Sequence, residues 1–367
     1  MNRTKNIPIY VPDLSGNERK YVDECLESTW ISSKGPFVEQ FELGFAQFTD
    51  IKYGASVSNG TVALHLALLA LGIGPGDEVI VPTLTYIASV NAITYTGATP
   101  VFVDSLETSW QMDPSDVSCK ITNKTKAIIV VHLYGQSCDM DSIMRLATEH
   151  NLKVVEDCAE AIGSYYKDQH VGTFGDIATF SFFGNKTITT GEGGMVLTND
   201  HDLIIRVRKL KGQGLAEGRE YWHDTVGYNY RMTNVCAAIG LAQLERIDHF
   251  LEAKREIANR YSKGLGATGV ALHKEQPDTI HSFWMCSLLV PEAWQRDPLR
   301  NHLKSVGIET RPVFYPINSM PMYNDGHFPI AETIAARGLN LPSWPRLGQE
   351  NVDYIIEQIV DFIQEQR

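Results

Sequence analysis

The chain has 367 residues, of which 43% are hydrophobic and 21% are charged, a balance typical of folded globular proteins. Its 32 lysines and arginines stand against 44 acids, which gives a formal net charge of −12. A chain this acidic has no overall field that would attract nucleic acid or anionic lipid. The composition therefore excludes disordered and fibrous classes, and we expect neither a nucleic-acid partner nor a membrane partner.

The cysteine pattern and one long uncharged run bear on the cellular compartment. Six scattered cysteines without a C-x-x-C pair favour reduced thiols and a cytoplasmic location. The N-terminus lacks the apolar core of a signal peptide. Residues 79–103 are uncharged and long enough for a membrane span, but prolines and a glycine interrupt them. We expect a buried strand, helix and strand there instead.

Between residues 50 and 200, short β-branched runs alternate with helical patterns. Several runs are apolar throughout, as at residues 127–131, which is typical of strands that are covered on both faces. This alternation predicts an α/β fold with a mostly parallel sheet between helices. The predicted strands are residues 54–58, 78–82, 99–104, 127–133, 153–157, 178–182 and 195–198, and the predicted helices between them include 61–71 and 140–150.

A single long helix is predicted from residue 234, after the N-cap candidate Thr233, to about residue 261. It would lead into a smaller α+β unit with strands near 283–290 and 309–314, a helix near 299–306 and two closing helices. The predicted domains are a large α/β domain at residues 1–250 and a small C-terminal domain at residues 251–367.

The common nucleotide-binding and hydrolase motifs are absent from the sequence. The dipeptide Gly-Lys never occurs, so there is no Walker A loop. The glycine cluster at residues 72–76 fails the dinucleotide pattern because Asp77 takes the place of the third glycine. H-E-x-x-H and G-x-S-x-G are also missing, and we predict no metal site.

A possible phosphate site lies at residues 58–64, where a predicted strand ends in a small polar turn and an apolar helix begins. Free N–H groups and the positive end of the helix dipole favour an anion at such a point. Gly60 would allow close approach, and the Thr61 hydroxyl would add a hydrogen bond. An ordinary capped helix is the alternative interpretation.

Two further signals involve single charged side chains. Asp157 ends a predicted buried strand, where a carboxylate is costly without a positive or hydrogen-bonding partner. It would suit a protonated ring nitrogen, or it caps the next helix.

Lys186 follows an aromatic strand and lies in a loop with glycine on both sides. A lysine held against apolar walls has a lowered pKa and can act as a nucleophile, whereas most loop lysines face solvent.

A phosphate cup, a buried strand-end acid and a recessed lysine in one α/β domain together describe a site for pyridoxal 5'-phosphate (PLP). Four motifs strengthen this interpretation, at residues 60–64, 156–163, 181–194 and 228–231. In these motifs and their order, the chain resembles the DegT/DnrJ/EryC1/StrS family of PLP-dependent sugar aminotransferases. The resemblance implies the aspartate-aminotransferase fold (fold type I), with a mostly parallel seven-stranded sheet domain and a smaller C-terminal α+β domain.

The resemblance also implies roles for individual residues. Lys186 would be the catalytic lysine that binds the cofactor covalently, and Asp157 would pair with the pyridine nitrogen. Ser181, Gly60 and Thr61 would hold the cofactor phosphate.

Other positions carry weaker implications. Tyr86 would stack on the cofactor face, and Asn229 would reach the phosphate of the neighbouring subunit, so that a homodimer shares its sites. Glu160 would face the cofactor or the substrate, but many relatives carry Gln there, which leaves its role open. Arg231 and Arg311 are candidates for carboxylate or pyrophosphate contacts, with ordinary salt bridges as the alternative. Tyr315 would line the sugar pocket, or its ring would have only a packing role.

Four segments, at residues 28–33, 82–89, 182–186 and 228–244, are most similar to family members that act on a GDP-linked 4-ketosugar. This similarity implies transfer of the amino group of L-glutamate to C4 of GDP-4-keto-6-deoxy-D-mannose, giving GDP-perosamine and 2-oxoglutarate for O-antigen and lipopolysaccharide synthesis. Three alternatives stay open: an aminotransferase for a UDP- or dTDP-linked ketosugar, a PLP-dependent ketosugar dehydratase, and a non-catalytic scaffold. The lysine at position 186 argues against a dehydratase function, because related dehydratases carry His at that position.

Overall fold

The computed structural model describes residues 6–365, which form a seven-stranded sheet, a four-stranded sheet and a small three-stranded sheet. The strands in this range are β1 (Tyr53–Val57), β2 (Glu78–Pro82), β3 (Thr99–Val103), β4 (Thr125–Val131), β5 (Lys153–Asp157), β6 (Tyr165–Tyr166), β7 (Gln169–His170), β8 (Ile177–Ser181), β9 (Gly194–Thr198), β10 (Ala271–Leu272), β11 (Thr279–Ile280), β12 (Cys286–Leu289), β13 (Arg311–Pro312) and β14 (Gly338–Leu341).

The α-helices in the same range lie before, between and after these strands. They are α1 (Glu18–Ser28), α2 (Pro36–Thr49), α3 (Gly60–Ala70), α4 (Ile87–Thr96), α5 (Pro114–Lys120), α6 (Met140–His150), α7 (His201–Lys211), α8 (Asn234–Leu244), α9 (Ile247–Leu265), α10 (Arg296–Ser305), α11 (Pro329–Arg337) and α12 (Gln349–Glu365).

The large sheet has the strand order β1-β9-β8-β5-β4-β2-β3. Its neighbours from β8 to β3 are all parallel, and β9 alone in this sheet runs against both of its partners. The mostly parallel seven-stranded sheet expected from the sequence is therefore confirmed. The uncharged run at residues 79–103 forms β2, α4 and β3, as predicted.

Helices cover both faces of this sheet, and β4 shows how the sequence achieves it. Ile129 belongs to the apolar cluster shared with α3 and α4, whereas Ile128 belongs to a separate cluster with α6. Successive side chains of a strand point to opposite faces, so an entirely apolar strand can bury both.

The predicted single helix from residue 234 to about residue 261 is wrong, because the structure divides it into α8 and α9. Arg246 leaves the helical conformation at the junction, with φ −117° and ψ 12°. Its guanidinium donates to Asp13 Oδ2 at 3.1 Å and to Ser15 Oγ at 3.0 Å, where the N-terminal segment passes. Apolar residues continue across the break because α8 packs on α1 and α2 whereas α9 packs on α12. Thr233 caps α8 as predicted, accepting from the Cys236 N–H at 3.3 Å.

The C-terminal part forms the four-stranded antiparallel sheet, in the order β10-β12-β14-β13, with α9, α10 and α12 packed around one apolar cluster. This is the α+β unit expected from the sequence. The predicted boundary at residue 250 lies within α9, and the division into domains stays a prediction. No helix in the described part of the chain is both long enough and apolar enough to span a bilayer.

Candidate active site

The carboxyl ends of the central parallel strands open into a cavity of about 600 Å³. Because β4, β5 and β8 are adjacent, Val131, Asp157 and Thr179 lie side by side at this edge, in the crevice where open α/β sheets bind ligands. Eight of the predicted site residues line the cavity: Gly60, Thr61, Tyr86, Asp157, Glu160, Ser181, Lys186 and Arg311.

The structure places three other predicted site residues outside this lining. Asn229 is exposed and forms a backbone bridge with Gly212. Arg231 forms a backbone bridge to Val57 at the end of β1, and its Nε has no hydrogen-bond partner among the described residues. Tyr315 is half exposed, with the Arg296 guanidinium 5.9 Å from its ring centre.

The two acids that end β5 point in opposite directions. Asp157 faces the cavity, whereas Glu156 lies on the other face, where its carboxylate accepts from the N–H groups of Gly172, Phe174 and Gly175. These bonds, with His132 Nε2 at 3.1 Å, account for the burial of Glu156. Alternation along the strand therefore selects Asp157 as the acid available to a ligand.

The Asp157 carboxylate is buried and held by two donors. Ser89 Oγ donates to Oδ2 at 2.7 Å, and the Ala159 N–H donates to Oδ1 at 3.1 Å. Burial raises the pKa of Asp157, and the hydrogen bonds from Ser89 and Ala159 together with the Lys186 ammonium oppose the rise. A cationic ring nitrogen in the cavity would stabilise the charged carboxylate further.

Lys186 points its amine into the same cavity and is almost fully buried. Burial lowers its pKa, and Glu160 and Asp157 oppose that shift. The Lys186 Nζ lies 3.7 Å from the ring centre of Trp284 and 3.6 Å from Glu160 Oε1. Tyr10 Oη donates to the Lys186 carbonyl at 2.6 Å, so the backbone of this loop is also held. A recessed lysine of this kind is a usable nucleophile.

The N-terminus of α3 forms an anion cradle with Ser181. Asn59 caps the helix by accepting from the Val62 N–H at 3.0 Å, and the N–H groups of Gly60 and Thr61 are left at the cavity wall. A Cβ at Gly60 would lie 2.8 Å from the Ser181 Cβ, so only glycine permits this approach. Free N–H groups at a helix start make this point suitable for an anion such as phosphate.

Three residues that hold the site in place have no signal in the local sequence. Ser89 lies on α4, 68 positions before Asp157, and Trp284 comes from the C-terminal part, where its Nε1–H donates to the Asn185 carbonyl at 2.7 Å. Tyr134 donates its N–H to Glu160 Oε2 at 2.9 Å from a left-handed backbone conformation, with φ 57°. Local patterns carry no signal for such contacts, because they depend on which distant segments the fold brings together.

The residues present fit PLP. A buried carboxylate suits the pyridine nitrogen, a recessed amine suits the aldehyde, and the Gly60–Ser181 cradle, which a Cβ would fill, suits the phosphate. One cavity thus offers a group of matching chemistry for the ring nitrogen, the aldehyde and the phosphate of the cofactor.

Comparisons with known proteins agree with this geometry. Residues 12–360 match the model of the DegT/DnrJ/EryC1/StrS aminotransferase family. The chain is 63% identical over 360 residues to the GDP-perosamine synthase of Escherichia coli O157:H7, covering 98% of this chain and 99% of the relative. It is 51% identical over 362 residues to the GDP-perosamine synthase of Vibrio cholerae, covering 97% and 99%.

A solved structure extends the likeness to three dimensions. DesV of S. venezuelae, determined in complex with a ketimine intermediate, superposes with a TM-score of 0.93 at 35% identity, covering 98% of this chain and 99% of that one. The family match, the identity to these relatives and the shared fold lead to one conclusion: the chain is an aminotransferase and belongs to the DegT/DnrJ/EryC1/StrS family.

Proposed function

We propose that this chain is a PLP-dependent aminotransferase that moves the amino group of L-glutamate to C4 of GDP-4-keto-6-deoxy-D-mannose, giving GDP-perosamine and 2-oxoglutarate. The observation that carries the proposal is the buried amine of Lys186, which shares one cavity with Asp157 and the Gly60–Ser181 cradle. The relatives named GDP-perosamine synthase, matched over nearly their whole length, support the substrate.

In this proposal the bound cofactor supplies an electron sink for the carbanion formed at the amino carbon. Asp157 keeps the ring nitrogen protonated, and Ser89 and the Ala159 N–H hold that carboxylate in place. Lys186 would hold the cofactor aldehyde through its Nζ, and the same amine would act as the base that takes up and returns the proton of the amino carbon. Transfer by one positioned base is worth roughly a hundredfold to ten-thousandfold in rate.

The remaining residues would bind and orient. The N–H groups of Gly60 and Thr61, with Ser181, would hold the phosphate, and Tyr86 would cover the cofactor ring. Arg311 lines the cavity with a half-exposed guanidinium and would take the glutamate carboxylate or the pyrophosphate of the nucleotide sugar. We assign Arg231 and Tyr315 no contact within the cavity of a single chain.

We further propose a homodimer with shared sites. The segment between α7 and α8 exposes Tyr221 (93%), Val226 (87%) and Trp222, an apolar surface typical of a protein interface. Asn229 lies at the base of this segment and would reach the neighbouring cofactor. All six cysteines are free, which supports the predicted cytoplasmic, reducing location.

The test is reconstitution with PLP followed by a substrate panel. The purified chain should gain a visible absorption band with PLP and lose it when L-glutamate is added. GDP-4-keto-6-deoxy-D-mannose should then yield the aminated sugar by mass spectrometry, and UDP- and dTDP-linked 4-ketosugars should react much more slowly.

Lys186→Ala is the matched negative variant. It should stay folded but lose the visible band and all turnover, because no other amine lines the cavity among the described residues. Turnover by this variant at the unmodified rate would refute the assignment. A preference for a UDP- or dTDP-linked sugar would refute the proposed substrate while leaving the aminotransferase chemistry intact.

A further inference from the structure

Glu160 lies in the loop after β5, and its two carboxylate oxygens have different environments. Oε2 accepts the Tyr134 N–H at 2.9 Å, whereas Oε1 faces the Lys186 Nζ at 3.6 Å. Among the described residues, Glu160 offers the only carboxylate within 4.0 Å of this amine. Asp157 is nearby but is already held by Ser89 and the Ala159 N–H. One oxygen of Glu160 is thus anchored, and the other is left to the lysine.

Tyr134, whose N–H holds Glu160 Oε2, is itself held by tight packing. The Tyr134 side chain is fully buried, with ring centres 5.2 Å from Phe314 and 5.9 Å from Trp284. The Phe314 N–H donates to Tyr134 Oη at 2.9 Å. Trp284 in turn lies against the Lys186 amine. The same aromatic group therefore positions both members of the Glu160–Lys186 pair.

Burial favours the neutral form of both members of the pair. It raises the pKa of Glu160 to about 7, which the Lys186 ammonium opposes, and it lowers the pKa of Lys186. Asp157 acts on both groups, because its charge raises the pKa of each. Among the described residues, the other charged groups at the cavity wall are Glu192 and Arg311. The pair therefore titrates as a unit.

Lys186 must be a neutral amine before it can bond to the cofactor aldehyde. We propose that Glu160 is the internal acceptor of the proton that Lys186 releases. One N–H bond of the ammonium breaks, its electron pair stays on Nζ, and an O–H bond forms at Glu160 Oε1. Charge disappears from both groups together, so the step needs no co-reactant. Contacts of this kind are often long before the ligand binds and shorten afterwards.

This inference rests on the proposed function and gives the glutamate at this position a specific role. A glutamine could still accept the Tyr134 N–H, but its amide cannot take up a proton. Once Lys186 is bonded to the cofactor, the ammonium that lowers the pKa of Glu160 is gone, so the acid should keep its proton at about pH 7.

The experiment is infrared difference spectroscopy of the chain with and without PLP, with glutamate residues labelled by ¹³C at the side-chain carboxyl. PLP binding should produce a protonated-carboxyl band that shifts with the label. The band should be lost in Glu160→Gln and kept in Glu149→Gln, a matched change at an exposed residue of α6. If Glu160→Gln folds poorly, Glu160→Asp also removes the labelled glutamate from this position.

The outcomes separate the two proposals. If PLP gives the visible band but no protonated-carboxyl band, the proton has gone elsewhere and the role of Glu160 is overturned. A band that persists in Glu160→Gln has the same consequence. If PLP gives no visible band with the unmodified chain, the proposed function itself fails.

Discussion

At the scale of single residues, the negative charge of Asp157 is stabilised by two hydrogen bonds in a buried environment. Burial alone would favour the neutral acid, which could not pair with a cationic ring nitrogen. Ser89 Oγ, which also lies 3.2 Å from Thr85 Oγ1, stabilises the charged form from α4. The charge that the site offers to a ring nitrogen therefore depends on the Ser89 hydroxyl, which takes no part in the reaction itself.

Ser89→Ala should weaken PLP binding by roughly tenfold to a hundredfold, because a hydrogen bond to a charged group contributes about 1.5–3 kcal/mol. Its loss should also raise the pKa of Asp157 further, so the defect should grow as the pH falls. Absorbance titration with PLP at several pH values measures both effects. Ser305→Ala, which alters an exposed hydroxyl on α10, serves as the control. Unchanged affinity in Ser89→Ala would remove this hydroxyl from the site.

At the scale of elements, the approach of α3 to the end of β8 decides whether an anion can bind. Gly60 is the first residue of α3 and lies against the side chain of Ser181, so α3 itself contributes no side chain to this contact. Alanine would favour the helix by up to about 1 kcal/mol in an isolated peptide. The contact with β8 therefore opposes what the helix by itself would prefer.

Gly60→Ala should lower PLP affinity by at least about tenfold, because the new Cβ would lie 2.8 Å from the Ser181 Cβ and force the elements apart. Gly74→Ala, whose Cβ would lie 3.9 Å from its nearest neighbour, should bind normally. Equilibrium titration of both variants, with circular dichroism to verify folding, makes the comparison. Normal PLP binding by Gly60→Ala would show that this cradle does not hold the phosphate.

At the scale of the whole molecule, three buried histidines make the free energy of unfolding depend on pH. Burial lowers the pKa of His170 and of His273 to about 4, and it lowers that of His281 well below its ordinary value. His273 and His281 contact each other at 3.3 Å, and the charge of His273 lowers the pKa of His281 further. The folded chain therefore holds these rings neutral where the unfolded chain would protonate them.

Between about pH 6.5 and pH 4 the unfolded state binds more protons at these sites, so the free energy of unfolding should decrease as the pH falls. The stabilisation is complete above about pH 6.5, and each histidine contributes a slope of up to about 1.4 kcal/mol per pH unit. Urea unfolding at several pH values measures the slope. His170→Gln should reduce it, whereas a change at exposed His150 should leave it unaltered. Equal slopes in all three chains would contradict the assignment.

The sequence by itself determined the sheet and eight of the residues that line the cavity. Entirely apolar runs such as residues 127–131 of β4 predict strands buried on both faces, and the glycine and polar residues around Gly60 predict a helix start. These signals are local, because strand alternation and helix capping involve neighbours along the chain. Asp157 and Lys186 could be selected for the same reason, since Asp157 ends one predicted strand and Lys186 follows another.

Only the tertiary structure decided the features that depend on distant segments. At the break between α8 and α9, Arg246 contacts Asp13, 233 positions away, and apolar periodicity does not record such a contact. The anchoring of Glu160 by Tyr134 and the packing of Trp284 on Lys186 likewise join separate parts of the chain. Such contacts set the burial and charge around the amine, and those properties exist only once the chain has folded.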